Sequence, residues 1–121
     1  MKIKTQDLTD AALDWAVAYA QGRTPTLNMY SHGMVWHGWW LATGGEYERM
    51  PSYSTDWAQG GPLIEREGLL VRPQPGNGWD SWKHGADEPC YSIGPTPLIA
   101  VMRCYVSNCL GSEVEVPEEL L

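Results

Sequence analysis

A helix start near the C-terminal end is the feature of this sequence that most constrains the fold. In the run Gly94-Pro95-Thr96-Pro97, Thr96 suits the N-cap and Pro97 the first helical position, where a missing N–H has no cost. Apolar residues then recur at helical spacing up to Gly111, which predicts a helix over about 96–110. Its apolar face consists of Leu98, Val101, Met102, Tyr105, Val106 and Cys109. The rest of the chain must cover that face.

A second helix is predicted over about 9–21. Thr9 is the candidate N-cap and Gly22 the candidate stop. Trp15 and Tyr19 lie four residues apart, so we expect them at the edge of the core, with a subunit interface as the alternative. The main apolar face is formed by Leu13, Ala16, Val17 and Ala20.

The segments between these helices favour strands. Residues 34–41 read Met-Val-Trp-His-Gly-Trp-Trp-Leu, which predicts a strand with two largely apolar faces. Such a strand is either covered on both faces or exposes tryptophans to a ligand or partner. Residues 69–72 predict a second strand, and residues 79–82 are either a strand or a loop.

Length and pattern together predict one α+β domain. A chain of 121 residues with 43% hydrophobic residues can bury a core of its own, and it shows neither an internal repeat nor a linker. We expect a small, mostly antiparallel sheet packed by helices 9–21 and 96–110, with a short acidic C-terminal tail at about 112–121. Self-association is expected too, because two short helices offer little cover for a strand with two apolar faces.

Charge and composition exclude several classes of partner. The net charge is −7, and four of the acidic residues fall in the last nine positions, so the preceding part of the chain carries −3. This charge disfavours nucleic acid as a partner. No apolar run is long enough to cross a membrane, and residues 1–10 lack the apolar segment of a secretion signal, so we expect a cytoplasmic protein.

Cysteine and histidine patterns indicate neither a metal site nor a cofactor. Cys90, Cys104 and Cys109 have no C-x-x-C spacing and are interpreted as small buried residues in a reducing compartment. The histidines, at positions 32, 37 and 84, lack the spacing of a zinc site and are interpreted as structural or surface residues. No nucleophile motif such as G-x-S-x-G is present, so no catalytic residue is predicted.

The segment 53–67 holds the predicted ligand-binding residues. Side chains that donate or accept hydrogen bonds, a flat indole and two adjacent glycines occur together there. The alternative is an ordered turn with an Asp56 cap and a tryptophan anchor. The predicted ligand-binding residues of this segment are Ser54, Asp56, Trp57, Gln59, Gly60, Gly61 and Arg66.

The start of the helix predicted over about 96–110 is a further candidate for the same site. Thr96 opens a helix whose free N–H groups would favour a phosphate or carboxylate, and Arg66 or Arg103 would add a charged contact. The alternative for Arg66 is a simple surface pair with Glu65, Glu67 or another acid.

Three segments resemble the NinX-type proteins of lambdoid phages and prophages. They are residues 1–17, with MKIKT and AALDWAV; residues 53–67, YSTDWAQGGPLIERE; and residues 94–120, from GPTPLIAVMR to VEVPEEL. The Trp-rich segment 24–50 carries none of this resemblance. The resemblance implies a small phage accessory protein acting in the cytoplasm of an infected bacterium, and such proteins frequently counter host defence.

Two functions fit this picture best. The first is a non-enzymatic sponge that sequesters a small nucleotide-derived signalling molecule, with Trp and Tyr rings stacking on bases. The second is an inhibitor that binds a host protein through an aromatic patch with an acidic rim, built from Trp36, Trp40 and neighbouring tyrosines. An enzyme acting on a nucleotide is a third, less favoured possibility.

Overall fold

The computed structural model describes residues 1–83 and 91–121. In this part of the chain there are eight strands, three α-helices and two short 3₁₀ turns, at Thr5–Asp7 and Glu118–Leu120. The helices are α1 (Asp10–Ala20), α2 (Trp57–Glu67) and α3 (Pro97–Leu110). The strands are β1 (Lys2–Lys4), β2 (Thr26–Ser31), β3 (Met34–Thr43), β4 (Glu46–Arg49), β5 (Leu69–Pro73), β6 (Trp79–Lys83), β7 (Ser92–Gly94) and β8 (Glu113–Glu115).

The helix α3 lies at the centre of the core. It packs against α1, α2 and the sheet β5-β6-β7, and every residue from Leu98 to Val106 is buried. Its start is as predicted, since Thr96 Oγ1 accepts a hydrogen bond from Ile99 N–H at 3.2 Å. The Gly111 N–H donates to Ser107 O at 2.9 Å and closes the last turn. Because α3 is surrounded, its buried surface exceeds the single apolar face that the sequence predicts.

The α+β class is confirmed, but the expected sheet is divided. The strands pair as β1-β8, β2-β3-β4 and β5-β6-β7, and every pair is antiparallel. Residues 79–82, which the sequence leaves open between strand and loop, belong to the central strand β6 of the third sheet. The helix α2 was not predicted at all.

The helix α1 matches its prediction apart from the cap. Thr9 has extended backbone angles, but its side chain makes no capping hydrogen bond. Gly22 has φ +82°, and Arg23 N–H donates to Ala18 O at 3.0 Å, which ends the helix as expected. Trp15 is buried and stacks on the half-exposed ring of Tyr19, with centroids 5.0 Å apart. The pair therefore forms the edge of the core.

The sheet β2-β3-β4 extends from the core at one end. Its base packs on the core through Leu41 and Trp39, whereas every residue of β2 and β4 is half-exposed or exposed. Near the middle, His37 and Gly38 together lie opposite Asn28, which is a β-bulge. The strand predicted at 34–41 is exposed at one end and covered at the other, because Met34 to His37 are exposed whereas Trp40 and Leu41 are buried.

The predicted acidic tail is partly built into the fold. The strand β8 pairs with β1, and the side chains of Val114 and Val116 are buried. The amino group of Met1 donates to Glu115 Oε1 at 2.7 Å, and this hydrogen bond lowers the pKa of the Glu115 carboxyl. The two ends of the chain therefore lie side by side. None of the three helices has the length and apolar character that crossing a bilayer requires, as far as the described residues go.

Candidate ligand-binding cleft

Residues 53–67 form a turn and a helix instead of a recognition loop. The helix α2 begins at Trp57, and Asp56 caps it, because its Oδ1 accepts a hydrogen bond from Ala58 N–H at 3.0 Å. This differs from the recognition loop that the sequence favours, because the segment is helical although Gly60, Gly61 and Pro62 are poor helix formers. The alternative, an ordered turn with an Asp56 cap, is confirmed at the start of this segment.

The two glycines of α2 have a packing role. The Gly60 N–H donates to Asp56 O at 2.8 Å, so it is occupied within the helix. A Cβ at Gly60 would lie 2.1 Å from Tyr53 O and 3.0 Å from Leu98 Cδ2. Gly60 therefore lets α2 approach the backbone at Tyr53 closely. Because its N–H is bonded within α2, Gly60 has no backbone donor available for a ligand.

A cleft of about 730 Å³ opens where the end of α1 meets α2 and α3. Its volume lies within the roughly 300–1,000 Å³ typical of small-molecule sites. The lining combines two guanidinium groups, two phenols and two carboxamides with a few apolar side chains. The lining residues are Ala20, Gln21, Arg23, Tyr53, Gln59, Pro62, Leu63, Arg66 and Tyr105.

The two arginines of the cleft differ in how they are held. Arg23 Nη2 donates to Thr43 Oγ1 at 2.7 Å and to Glu48 Oε1 at 3.0 Å, so the β3-β4 turn fixes its position. Arg66 is more exposed and pairs with Glu67 at 3.1 Å, as the alternative for this residue predicted. Each arginine has five N–H donors, so the contacts with Glu48 and Glu67 leave both guanidinium groups with further donors for a ligand.

The two tyrosines contribute hydroxyl groups, and their ring faces are buried. Tyr53 OH donates to Gln21 Oε1 at 3.0 Å. The pKa of Tyr53 is raised, mainly by burial, and burial also raises the pKa of Tyr105 to about 12. Both phenols are therefore protonated at neutral pH. In this cleft the tyrosines suit hydrogen bonding, whereas base stacking would need exposed ring faces.

The carboxamide of Gln59 completes the wall formed by α2. Its Oε1 accepts a short hydrogen bond from Ser52 N–H, which leaves the NH₂ end as the donor group. Among the nine lining residues there is no Asp, Glu, His, Cys or Ser. The cleft thus offers cationic and neutral donors, a combination suited to holding a polar anion.

A second, smaller cavity of about 220 Å³ brings together other predicted residues. Ser54, Trp57 and Thr96 line it, at the start of α3. Thr96 Oγ1 is already occupied by the helix cap. Ser54 is buried, and its N–H donates to Asp14 Oδ1 at 2.8 Å. Burial raises the pKa of Asp14, and the hydrogen bonds from Ser54 lower it in part.

Arg103 is a packing residue and lies apart from the cleft. It is only 8% exposed, and its Nε donates to Leu8 O at 2.9 Å while its Nη1 donates to Ile93 O at 2.8 Å. Burial lowers the pKa of its guanidinium group. Neither Arg66 nor Arg103 lines the cavity that contains Thr96, and Arg103 instead borders another cavity with Gly94 and Pro95. Sequence spacing cannot reveal that α3 turns Arg103 inward.

The predicted residues are thus divided among several places. Gln59 and Arg66 lie in the cleft, while Gly61, beneath Trp57, and the cap residue Asp56 belong to the construction of α2. The residues that sequence reasoning missed are Gln21, Arg23, Tyr53 and Tyr105. Arg23 follows the predicted helix stop at Gly22 and gave no signal of its own, and Tyr105 shares the periodicity of the core face.

Metal-binding residues are not clustered in the described part of the chain, where no group of three or more His, Cys, Asp or Glu side chains is suitably placed. Cys104 is buried as expected, whereas Cys109 is exposed because the last turn of α3 extends beyond the core. Cys90 and His84 lie outside the described residues.

The fold and the cleft define a small α+β protein with a polar, cation-bearing cleft between its helices. The family model described as "Bacteriophage P22, NinX" matches residues 4–108. The chain therefore belongs to the NinX family and is a phage protein. The match includes the Trp-rich segment 24–50. No curated protein matches the sequence.

Proposed function

We propose that the protein is a non-enzymatic binder that sequesters a small nucleotide-derived signalling molecule in the cytoplasm of the infected bacterium and so counters host defence. The observation that carries this proposal is the convergence of Arg23 and Arg66 on one cleft with phenol and carboxamide donors. Phosphate groups prefer charge-assisted hydrogen bonds from guanidinium groups.

The net charge of −7 does not oppose such a ligand. A small anion experiences the field of its own pocket, whereas a duplex samples the whole surface. In the proposed complex the phosphates contact Arg23 and Arg66, and the carboxamides of Gln21 and Gln59 bind polar edges of the base or sugar. Because the tyrosine rings are buried, we expect base stacking to contribute less to ligand binding than the sequence suggested.

The experiment is calorimetry of the purified protein against cyclic dinucleotides and cyclic ADP-ribose-type molecules, together with thermal stabilisation by the same compounds. We expect Arg66→Ala to weaken binding about 10- to 100-fold, since a hydrogen bond to a charged group contributes about 1.5–3 kcal/mol. Gln59→Ala should weaken it less. The control is Lys2→Ala, which removes an exposed cation on β1, outside the cleft, and should bind as the wild type does.

The absence of both heat and thermal stabilisation across this panel would contradict the proposal. Chromatography of the ligand after prolonged incubation distinguishes a sponge from an enzyme. A sponge returns the ligand unchanged, and a converted product would favour the enzymatic alternative.

A protein-interaction inhibitor is the alternative function, and the exposed side chains of β2-β3-β4 favour it. Tyr30, Trp36 and Tyr47 are exposed there, although Trp40 is buried against Trp36 and Arg49. A pull-down from infected-host lysate tests this alternative. A stoichiometric host protein supports it, and an empty lane beside a retained small molecule favours the sponge.

A further inference from the structure

Residues 24–45 form an uncharged segment in a charged protein. They contain no Asp, Glu, Lys or Arg, although the chain carries 15 acidic and 8 basic residues. The structure folds this segment into most of the hairpin β2-β3, which extends from the core. A surface that lacks charge over such a length is unusual for a protein with a net charge of −7, because surface segments normally mix both signs.

The hairpin also exposes large apolar side chains near its tip. Tyr30 is 80% exposed, Met34 is 59% exposed and Trp36 is 43% exposed. Val35 and Leu27 are exposed as well. Apolar side chains grouped in this way, without interspersed charge, are typical of an interaction surface.

The outer edge of β2 has no neighbouring strand among residues 1–83 and 91–121. The strand order β2-β3-β4 gives β2 a neighbour on one side, and beyond the bulge at Asn28 its residues Met29 to Ser31 pair regularly with β3. Edge strands in monomeric proteins are commonly protected by Lys, Pro or an inward-facing charge. The strand Thr26–Ser31 contains none of these.

We propose that β2 pairs with β2 of a second copy of this chain, antiparallel about a two-fold axis close to Tyr30, so that two three-stranded sheets become one sheet of six strands. An uncharged strand is self-complementary, because no like charges meet when it pairs with itself. The acidic residues of both copies then stay outside the contact. This inference is independent of the proposed ligand.

The exposed area is consistent with a dimer. With about 150–250 Å² for a whole aromatic side chain, the exposed four-fifths of Tyr30 offers roughly 120–200 Å² at the edge of β2. Leu27 and the backbone of β2 add to this area. A standard interface needs about 800 Å² from each partner, so this edge contact is smaller and fits a weak, concentration-dependent dimer.

Analytical ultracentrifugation of the full chain, from micromolar to millimolar concentration, tests the proposal. We expect a concentration-dependent monomer–dimer equilibrium for the wild type. Tyr30→Lys should shift it to monomer, because two copies would bring like charges together at the axis, and Leu27→Lys should act in the same direction. Neither side chain contributes to the core cluster. The control is Leu70→Lys, on the edge strand β5 of another sheet, which should dimerise as the wild type does.

Hydrogen exchange identifies the interface by a second route. We expect amides of β2 to become protected as the wild-type concentration rises and to remain unprotected in Tyr30→Lys. A wild type that stays monomeric over the whole range would overturn the proposal. A dimer in which β2 gains no protection, or which Tyr30→Lys leaves intact, would also overturn it. If a host protein binds this edge instead, the wild type will stay monomeric and will capture that protein.

Discussion

Replacing Gly60 by alanine tests the closest approach in the fold. The added Cβ would lie 2.1 Å from Tyr53 O and 3.0 Å from Leu98 Cδ2. The first neighbour is a backbone atom, which cannot rotate away as the end of a flexible side chain can. The helix α2 must therefore move by about 1 Å relative to the turn at residue 53 to reach ordinary van der Waals distance.

Two effects of opposite sign decide the magnitude. Overpacking of a tight contact costs about 1–3 kcal/mol, and a backbone clash belongs at the upper end of that range. Alanine in place of glycine in a helix contributes about 1 kcal/mol in favour of folding. The net expectation for Gly60→Ala is a loss of about 2 kcal/mol in the free energy of unfolding. For a domain of this size that loss lowers Tm by about 8 °C.

The assay is urea and thermal unfolding followed by circular dichroism, with Gly61→Ala as the matched control. A Cβ at Gly61 would meet only Trp57 Cε3 at 3.7 Å, which is an ordinary contact. Its helical gain of about 1 kcal/mol is offset by crowding against the following Pro62, so the expected change is close to zero.

Equal stability of the two variants would refute this reasoning, since it would mean that α2 does not approach the backbone at Tyr53 closely. The cleft offers a second readout. Because Gln59 and Tyr53 both line the cleft, a displaced α2 should also weaken the ligand binding of Gly60→Ala, and Gly61→Ala should bind normally.

Three further predictions follow from single contacts. Arg103→Met should lower the free energy of unfolding by about 2–4 kcal/mol in chemical denaturation, since the carbonyls of Leu8 and Ile93 lose a charged donor. If the free energy of unfolding changed as little as it does when an exposed cation is replaced, the packing role of Arg103 would be contradicted. Burial raises the pKa of the Asp14 carboxyl above 3.8, so the folded state binds a proton at this carboxyl more readily than the unfolded state does. The free energy of unfolding of the wild type should therefore fall relative to that of Asp14→Asn as pH rises from about 4. Parallel pH profiles of stability for the two proteins would refute this prediction. Arg23→Lys should change stability by less than about 1 kcal/mol, since the pair with Glu48 is partly exposed, but should speed hydrogen exchange in β4; unchanged exchange would show that Arg23 does not hold the β3-β4 turn.

Local signals predicted much of the secondary structure. Thr96 and Pro97 fixed the start of α3, and Gly22 fixed the end of α1, because caps and stops act within a few residues. The helix α2 escaped prediction since its glycines and Pro62 have poor helix propensity. Tertiary packing stabilises it, with Gly60 against the backbone of Tyr53.

The candidate site was predicted in part. Gln59 and Arg66 lie in the cleft, but the sequence prediction combined Arg66 with Thr96, which lines the other cavity. Arg103 shows the limit most clearly. Arginines at positions 66 and 103 have the same side chain, and only the surroundings in the fold make one a partly exposed donor and the other a buried crosslink between backbone carbonyls.

By itself the sequence determined the α+β class, two of the three α-helices that the described residues form, and membership of a phage family, because periodicity, caps and long motifs are properties of contiguous residues. It also contained the uncharged segment 24–45. The tertiary structure alone decided that the sheet is divided into three and that Arg23, Arg66 and Tyr105 meet in one cleft. The physical reason is that a cleft brings together residues far apart in the chain, and their separation depends on how the helices pack and not on local preference.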